Sequence, residues 1–253
     1  MEYLTTYYRR QGEGSGCSLL LQHYLCGQTP VCLACLCTEE GEGDGGMRPA
    51  VTGRLLDWCR TVCWHKAARR PVPWMGRLEA ELPPLLAEIG ADREGCRLSL
   101  LLGIGGEILA LGGGHNLYLL STLWGRGKAV RLPGEFRGCL EPGAGLLLAE
   151  DSFLGDLEEK RLGEALCLQE IRTADQAERR LKELAAGGGR AGGGRAGGGK
   201  ADDSRADSSR AGSSRAGSGK ADSGRAGSGR TSGRPGGGTA GAILVIGREE
   251  SSR

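Results

Sequence analysis

Aromatic residues are scarce, at 4% of 253 residues, so a core here must rest on Leu, Ile, Val, Ala and Cys. No apolar run approaches the ~18 residues of a spanning helix, which argues against a membrane segment. The first ten residues, Met1 to Arg10, lack the apolar centre of a secretory signal. Ten cysteines without such a signal predict reduced thiols and a cytoplasmic setting rather than a disulfide framework. The sharpest lack is local. From Gly187 to Gly238 there is one Pro and no Leu, Ile, Val, Met or aromatic residue. Such a stretch buries too little apolar surface to offset the entropy of ordering, so disorder is expected there and in 248–253.

Charge divides along the same boundary. The low-complexity stretch holds ten Lys or Arg and four Asp, a net +6, whereas the remainder has 23 basic and 27 acidic residues, a net −4. The remainder carries no electrostatic footprint for nucleic acid. In the stretch itself a basic residue recurs every five positions, from Arg190 to Arg230. That period matches neither helix nor strand, so no basic face forms. It reads as an expanded surface loop, since doubling a flexible loop costs only about 0.6 kcal/mol of closure entropy. The alternative is a phosphate or RNA contact, which would work without aromatics to stack bases.

The ordered remainder alternates short apolar runs with amphipathic ones. Ser18 to Leu25 and Pro30 to Cys37 read as buried strands. A helix is expected over roughly Ala50 to Arg69, with Val51, Leu55, Cys59 and Cys63 recurring at spacing four. A second amphipathic segment, Trp74 to Ile89, should break or kink at Pro83-Pro84. Arg97 to Leu102, Glu107 to Leu111 and Asn116 to Ser121 look like a three-stranded meander separated by glycines. A strand is expected at Leu146 to Ala149, then helices near Gly155 to Leu166 and from Ala174 to Ala186. The second helix opens with the capping pair Thr173 and Gln176. Ala242 to Gly247 reads as a last strand. A strand following the low-complexity stretch must pair with a sheet formed earlier, so 187–238 is expected to be an internal loop of one domain spanning 1–247.

Several segments resemble, in the same order, the metal-dependent protein phosphatases of the protein phosphatase 2C type. Leu146-Leu-Leu-Ala-Glu-Asp-Ser-Phe-Leu-Gly-Asp-Leu157 is similar to the segment in which a strand of that family ends in Ser-Asp-Gly. Gly95-Cys-Arg-Leu-Ser-Leu-Leu resembles the family's Gly-Thr-Thr strand, and Ala110-Leu-Gly-Gly-Gly-His-Asn-Leu-Tyr-Leu-Leu120 its Gly-Asp-Ser-Arg-x-Tyr-Leu strand. Cys35-Leu-Cys-Thr-Glu-Glu-Gly sits where the family has Asp-Gly-x-Gly-Gly, and Thr239-Ala-Gly-Ala-Ile-Leu-Val-Ile resembles the closing Asp-Asn-x-Thr strand. The resemblance implies an α+β fold, a four-layer α-β-β-α sandwich of two antiparallel sheets flanked by helices. It also implies a pair of divalent cations, Mn or Mg, activating water against a phosphoserine or phosphothreonine, and a phosphorylated protein or a kinase as partner.

Two divalent ions need several carboxylates as hard oxygen ligands. Asp151 falls on the Asp of the Ser-Asp-Gly match. Asp44, in Gly43-Asp-Gly-Gly-Met47, keeps an Asp-Gly look but is displaced along an acidic loop with Glu39, Glu40 and Glu42. Elsewhere the matches lack carboxylates. Cys17 stands at the first, Cys37 or Thr38 near the second, Gly114 at the Gly-Asp-Ser match, and Ala240-Gly241 at the last. The resemblance places the phosphate-contacting Arg at Arg9 or Arg10. A degenerate relative that binds a partner or a phosphorylated segment is therefore expected. The alternative is an active phosphatase using Asp151 with acidic-loop carboxylates.

Other patterns compete for the same residues. Cys32-x-x-Cys35-x-Cys37 with Cys59-x-x-x-Cys63-x-His65 offers zinc ligands. Strand alternation, however, puts Cys35 and Cys37 on one face and Cys32 on the other, and buried Cys packs as a small hydrophobe. Gly103-x-Gly105-Gly106 is followed by too short a run for the helix a dinucleotide loop needs, and reads as a hairpin turn. His23 and His115 have no nucleophile motif beside them and read as structural or solvated.

Overall fold

The computed structural model describes residues 1–10, 16–39, 47–88, 95–155, 157–187 and 240–249. In chain order the strands are β1 (Glu2–Arg10), β2 (Gly16–Cys26) and β3 (Thr29–Glu39). Helices α1 (Met47–Thr61), α2 (Trp64–Arg69) and α3 (Pro71–Glu88) follow. Then come β4 (Cys96–Ile104), β5 (Glu107–Leu111), β6 (Asn116–Leu123), β7 (Arg126–Leu132), β8 (Phe136–Cys139) and β9 (Gly145–Ala149). Helices α4 (Asp151–Leu154), α5 (Glu159–Ala165) and α6 (Ala174–Gly187) lead to β10 (Ala240–Arg248).

The strands form two five-stranded antiparallel sheets. One has the order β1-β10-β9-β6-β7 and the other β2-β3-β4-β5-β8. The central strands are apolar on both faces, and from Pro30 to Thr38 every residue of β3 is buried. Alternation along β3 sends Leu33, Cys35 and Cys37 toward the helices, while Cys32, Ala34 and Leu36 meet the other sheet. β10 does the same, with Leu244 and Ile246 outward and Ile243 and Val245 inward. Helices α1 and α3 cover the outer face of the second sheet through Val51, Leu55, Met75, Leu78 and Leu82. Helices α5 and α6 cover the first sheet through Leu162, Ala177 and Leu181. The result is the expected α-β-β-α sandwich.

Several elements depart from the sequence reading. β1, β7 and β8 were not expected, because their charged or glycine-rich sequences lack a continuous apolar run. The expected meander is two hairpin strands and a crossover. β4 pairs with β5, but β6 belongs to the other sheet, and Gly112 and Gly113, at φ 98° and 57°, turn the chain across. The helix expected over Ala50 to Arg69 is interrupted, with Val62 and Cys63 outside both α1 and α2. Conversely, α3 runs unbroken from Pro71 through Pro83 and Pro84. Pro71 stands at the first helical position, where proline is well suited. Leu78, Leu82 and Leu86 give α3 a buried stripe on either side of the two prolines. The helix expected near Gly155 to Leu166 is the shorter α5, and the short α4 before it was not expected. Gly187 closes α6 and Arg248 closes β10, so both are structured; Glu249 is described and exposed, and the rest of the expected disordered segments lies outside the described residues. At the start of α6 the capping pair forms, with the Gln176 N–H donating to Thr173 Oγ1 at 3.3 Å and the Thr173 N–H to Gln176 Oε1 at 3.2 Å.

Helix α5 sits on β7 through a glycine contact. A Cβ at Gly163 would lie 2.7 Å from the Ala129 nitrogen, whereas one at Gly53 in α1 would meet nothing within 4 Å. Gly163→Ala should therefore destabilise the fold by about 1–3 kcal/mol through overpacking. Gly53→Ala should be neutral or stabilising by up to about 1 kcal/mol. Chemical denaturation midpoints of the two variants check this contrast.

Candidate functional site

The sheets deliver polar residues to one end of the sandwich. There Cys17, near the start of β2, pairs with Thr38 near the end of β3, and Thr38 opposes Arg97 near the start of β4. On the other sheet, Asn116 opens β6 opposite Ala149, the last residue of β9, and Gly241 lies near the start of β10. The chain then turns into Glu150 and α4, which begins at Asp151. Both Arg9 and Arg10 close β1 at this end, opposite Gly241 and Ala240. Asp44, Glu40 and Glu42 lie outside the described residues.

The first part of the site is a buried seam between the sheets. His115 is 8% exposed. Its Nε2 is 2.9 Å from Thr38 Oγ1, its Nδ1 is 3.1 Å from Ser99 Oγ, and its backbone N–H donates to the same Ser99 oxygen at 3.0 Å. A proton on Nε2, donated to Thr38, leaves Nδ1 to accept from the Ser99 hydroxyl and gives every atom a partner. Burial, reinforced by the Arg97 guanidinium and opposed by Asp151, lowers the pKa of His115 to about 4. At neutral pH the ring is uncharged and a weak base, suited to holding the sheets together rather than to proton transfer.

The second part surrounds Asp151. Its Oδ1 accepts from Asn116 Nδ2 at 2.5 Å and its Oδ2 from Arg97 Nη1 at 3.3 Å. The Asp151 side chain is 73% exposed, so the ion pair contributes little to stability. Glu150 is the buried member of the neighbouring pair. Its Oε2 accepts from the Gly241 N–H at 2.7 Å and from Ser152 Oγ at 3.2 Å, and the Glu150 N–H donates back to the Gly241 carbonyl. Burial pushes the Glu150 carboxyl above its ordinary value, against those hydrogen bonds.

Among the described residues this donor set does not fit a twin-cation centre. Both Asp151 oxygens face N–H donors, one of them on a guanidinium. Two of the positions where carboxylates are missing are also closed to larger side chains. A Cβ at Gly241 would lie 2.5 Å from Cys17 Sγ, and Cys17 is fully buried. At Gly114 a Cβ would lie 2.8 Å from the Leu98 nitrogen and 3.0 Å from Arg97 Cβ. Thiol, backbone and aliphatic side-chain atoms occupy the space a Cβ would need at these two positions. Among the described residues no three His, Cys, Asp or Glu are grouped to hold a metal ion. The zinc pattern is divided as strand alternation requires, because Cys32 faces the other sheet while Cys35 and Cys37 face the helices, in the same cluster as Cys59 of α1. Burial pushes the Cys32 and Cys59 thiols up to about 12.

No protein-family model and no curated protein matches the chain. Solved structures do. The SiaA-PP2C domain of Pseudomonas aeruginosa is similar at 14% identity and TM-score 0.52, over 97% of this chain and 86% of that one. The S. agalactiae serine/threonine phosphatase is similar at 10% identity and TM-score 0.51, over 97% of this chain and all of that one. The fold is that of the phosphatase-2C type. The layered fold implied by the sequence resemblance is the one found, and Asp151 lies at the end of the sandwich where the polar residues meet. The resemblance did not single out Arg97, Ser99, Asn116 or Glu150. Arg97 and Ser99 alternate on β4 with apolar residues, and a charged residue facing inward on such a strand was the available signal.

His115 gives this end of the phosphatase-2C-type fold a pH signature. With a folded pKa near 4 and an unfolded value near 6.5, its contribution to stability is present above pH 6.5 and is lost as pH falls toward 4. Glu150 acts oppositely, its contribution fading as pH rises past its ordinary 4.5. The Arg97 guanidinium adds to the lowering of the His115 pKa and Asp151 opposes it. Across pH 6.5 to 4, wild type should lose on the order of 3 kcal/mol more than His115→Asn. Denaturant unfolding of both proteins at each pH measures the difference, in which Glu150 largely cancels.

Proposed function

We propose that this chain is a degenerate phosphatase-2C-type domain that works by binding, with little or no metal-dependent hydrolysis. The observation that carries the reading is the surround of Asp151. An aspartate offered to two divalent ions should present bare oxygens to the site, together with several further carboxylates. Here its oxygens meet Arg97 and Asn116, and the facing positions are Gly114, Gly241 and a buried Cys17. Supplying the missing ligands requires room that the packing of β2 against β10 does not leave.

A binding role suits what remains. Arg97 is half-buried beside the exposed Asp151, and a phosphorylated segment or a kinase partner is the class of ligand we assign to this edge. The pairing of β10 with β1 and β9 supports one domain over 1–247, with 187–238 as an insertion between α6 and β10. No helix among the described residues is long and apolar enough to cross a membrane, and the many buried thiols suit a cytoplasmic setting.

Hydrolysis of p-nitrophenyl phosphate, with and without manganese, separates the binding reading from an active phosphatase. The expected result is no manganese-dependent turnover and no difference between wild type and Asp151→Ala. Turnover that requires manganese and disappears in Asp151→Ala would overturn the proposal.

A further inference from the structure

Two cysteines lie directly behind the polar cluster. Cys37 precedes Thr38 on β3 and Cys96 precedes Arg97 on β4, and both thiols belong to the helix-facing side of the sheet. The register sets Cys37 opposite Leu98 and Glu39 opposite Cys96, so the two cysteines are diagonal neighbours on one face. Their sulfur atoms are 3.8 Å apart. Cys37 is buried and Cys96 half-buried. Cys35 shares the face but is wholly buried, and burial raises its pKa well above the usual thiol value, which keeps it protonated. Among the described residues no third ligand completes a metal set with the pair, and two thiolates do not close a zinc site.

We propose that Cys37 and Cys96 form an oxidisable dithiol, at which a peroxide closes a disulfide across β3 and β4. The more accessible Cys96 reacts first. Its thiolate attacks the peroxide O–O bond, giving the Cys96 sulfenic acid and hydroxide. The Cys37 sulfur then attacks the Cys96 sulfur. The S–S bond forms, the S–O bond breaks, and the oxygen leaves as water with the Cys37 proton. Two thiols lose two electrons in all, and one peroxide becomes two waters. A disulfide needs sulfurs about 2 Å apart, so the strand ends must draw together. Cys96 is the first residue of β4, where the ladder constrains movement least. The adjoining residues, Thr38 and Arg97, carry the contacts to His115 and Asp151. Closure therefore displaces the seam, and thiol–disulfide exchange with a reductant restores it. This inference does not depend on whether the site hydrolyses phosphoesters.

The test treats the reduced, folded full chain with stoichiometric hydrogen peroxide. Remaining thiols are then alkylated under denaturing conditions and the digest mapped by mass spectrometry. The expected product is a Cys37–Cys96 cross-linked peptide, reversed by dithiothreitol and absent from Cys96→Ser, with the other eight of the ten cysteines alkylated. The His115 imidazole resonances of 15N-labelled protein should shift on oxidation and return on reduction. Recovery of Cys37 and Cys96 both alkylated would overturn the proposal, as would Cys96 in another pairing or as sulfinic acid. A cross-link with unmoved His115 resonances would overturn the connection to the polar cluster.

Discussion

An uncharged imidazole enclosed between two sheets sets the terms for everything at the polar end of this molecule. Burial is the main cause of its low pKa, and the neighbouring guanidinium adds to it. Each of its nitrogens has a hydroxyl partner, Thr38 or Ser99, so no buried polar atom of the ring is left to carry a desolvation cost. Because Thr38 and Ser99 belong to one sheet and His115 leads into β6 of the other, the same three side chains join the two layers where the strands run out. A seam built this way is structural in its chemistry, since it has spent its hydrogen-bonding capacity internally.

Around the seam, packing decides what ions the site can take. The phosphatase-2C-type fold is intact in its sheets and helices, yet a fold does not by itself carry a reaction. The chemistry depends on whether acidic oxygens converge. Here Glu150 turns inward to the Gly241 backbone and Asp151 is shared between Arg97 and Asn116. Gly241 and Cys17 are in contact, so the strands that would each contribute a ligand have instead closed on one another. Replacing one glycine by aspartate would not rebuild a metal cage, because the thiol and backbone atoms beside it would have to move as well.

The sheets were legible in the sequence where burial is complete. β3, β9 and β10 are short apolar runs bounded by turn residues, and little else fits them. The last strand was also correctly required to join a sheet formed earlier, which its pairing with β1 and β9 shows. Of the four edge strands, β2 was legible as an apolar run and β1, β7 and β8 were not. β1 carries tyrosines, threonines and two arginines, and β8 is four residues long, so neither has a distinctive period. The crossover at Gly112 to Gly114 was hidden because glycines signal a turn without saying which sheet the next strand joins. Helix ends were similarly concealed, as in α3, where a buried leucine stripe overrides two internal prolines. Of the site, Asp151 was visible through the resemblance and His115 was read as structural or solvated. The partners that define their chemistry were invisible, because Arg97 and Glu150 matter through contacts made across 54 and 91 positions of sequence.

The most direct measurement of the central claim is isothermal titration calorimetry of manganese chloride into the reduced full chain at neutral pH. Crowded, donor-rich surroundings of Asp151 predict no saturable uptake of two ions. Tight uptake of two manganese ions, lost on Asp151→Ala, would contradict the account.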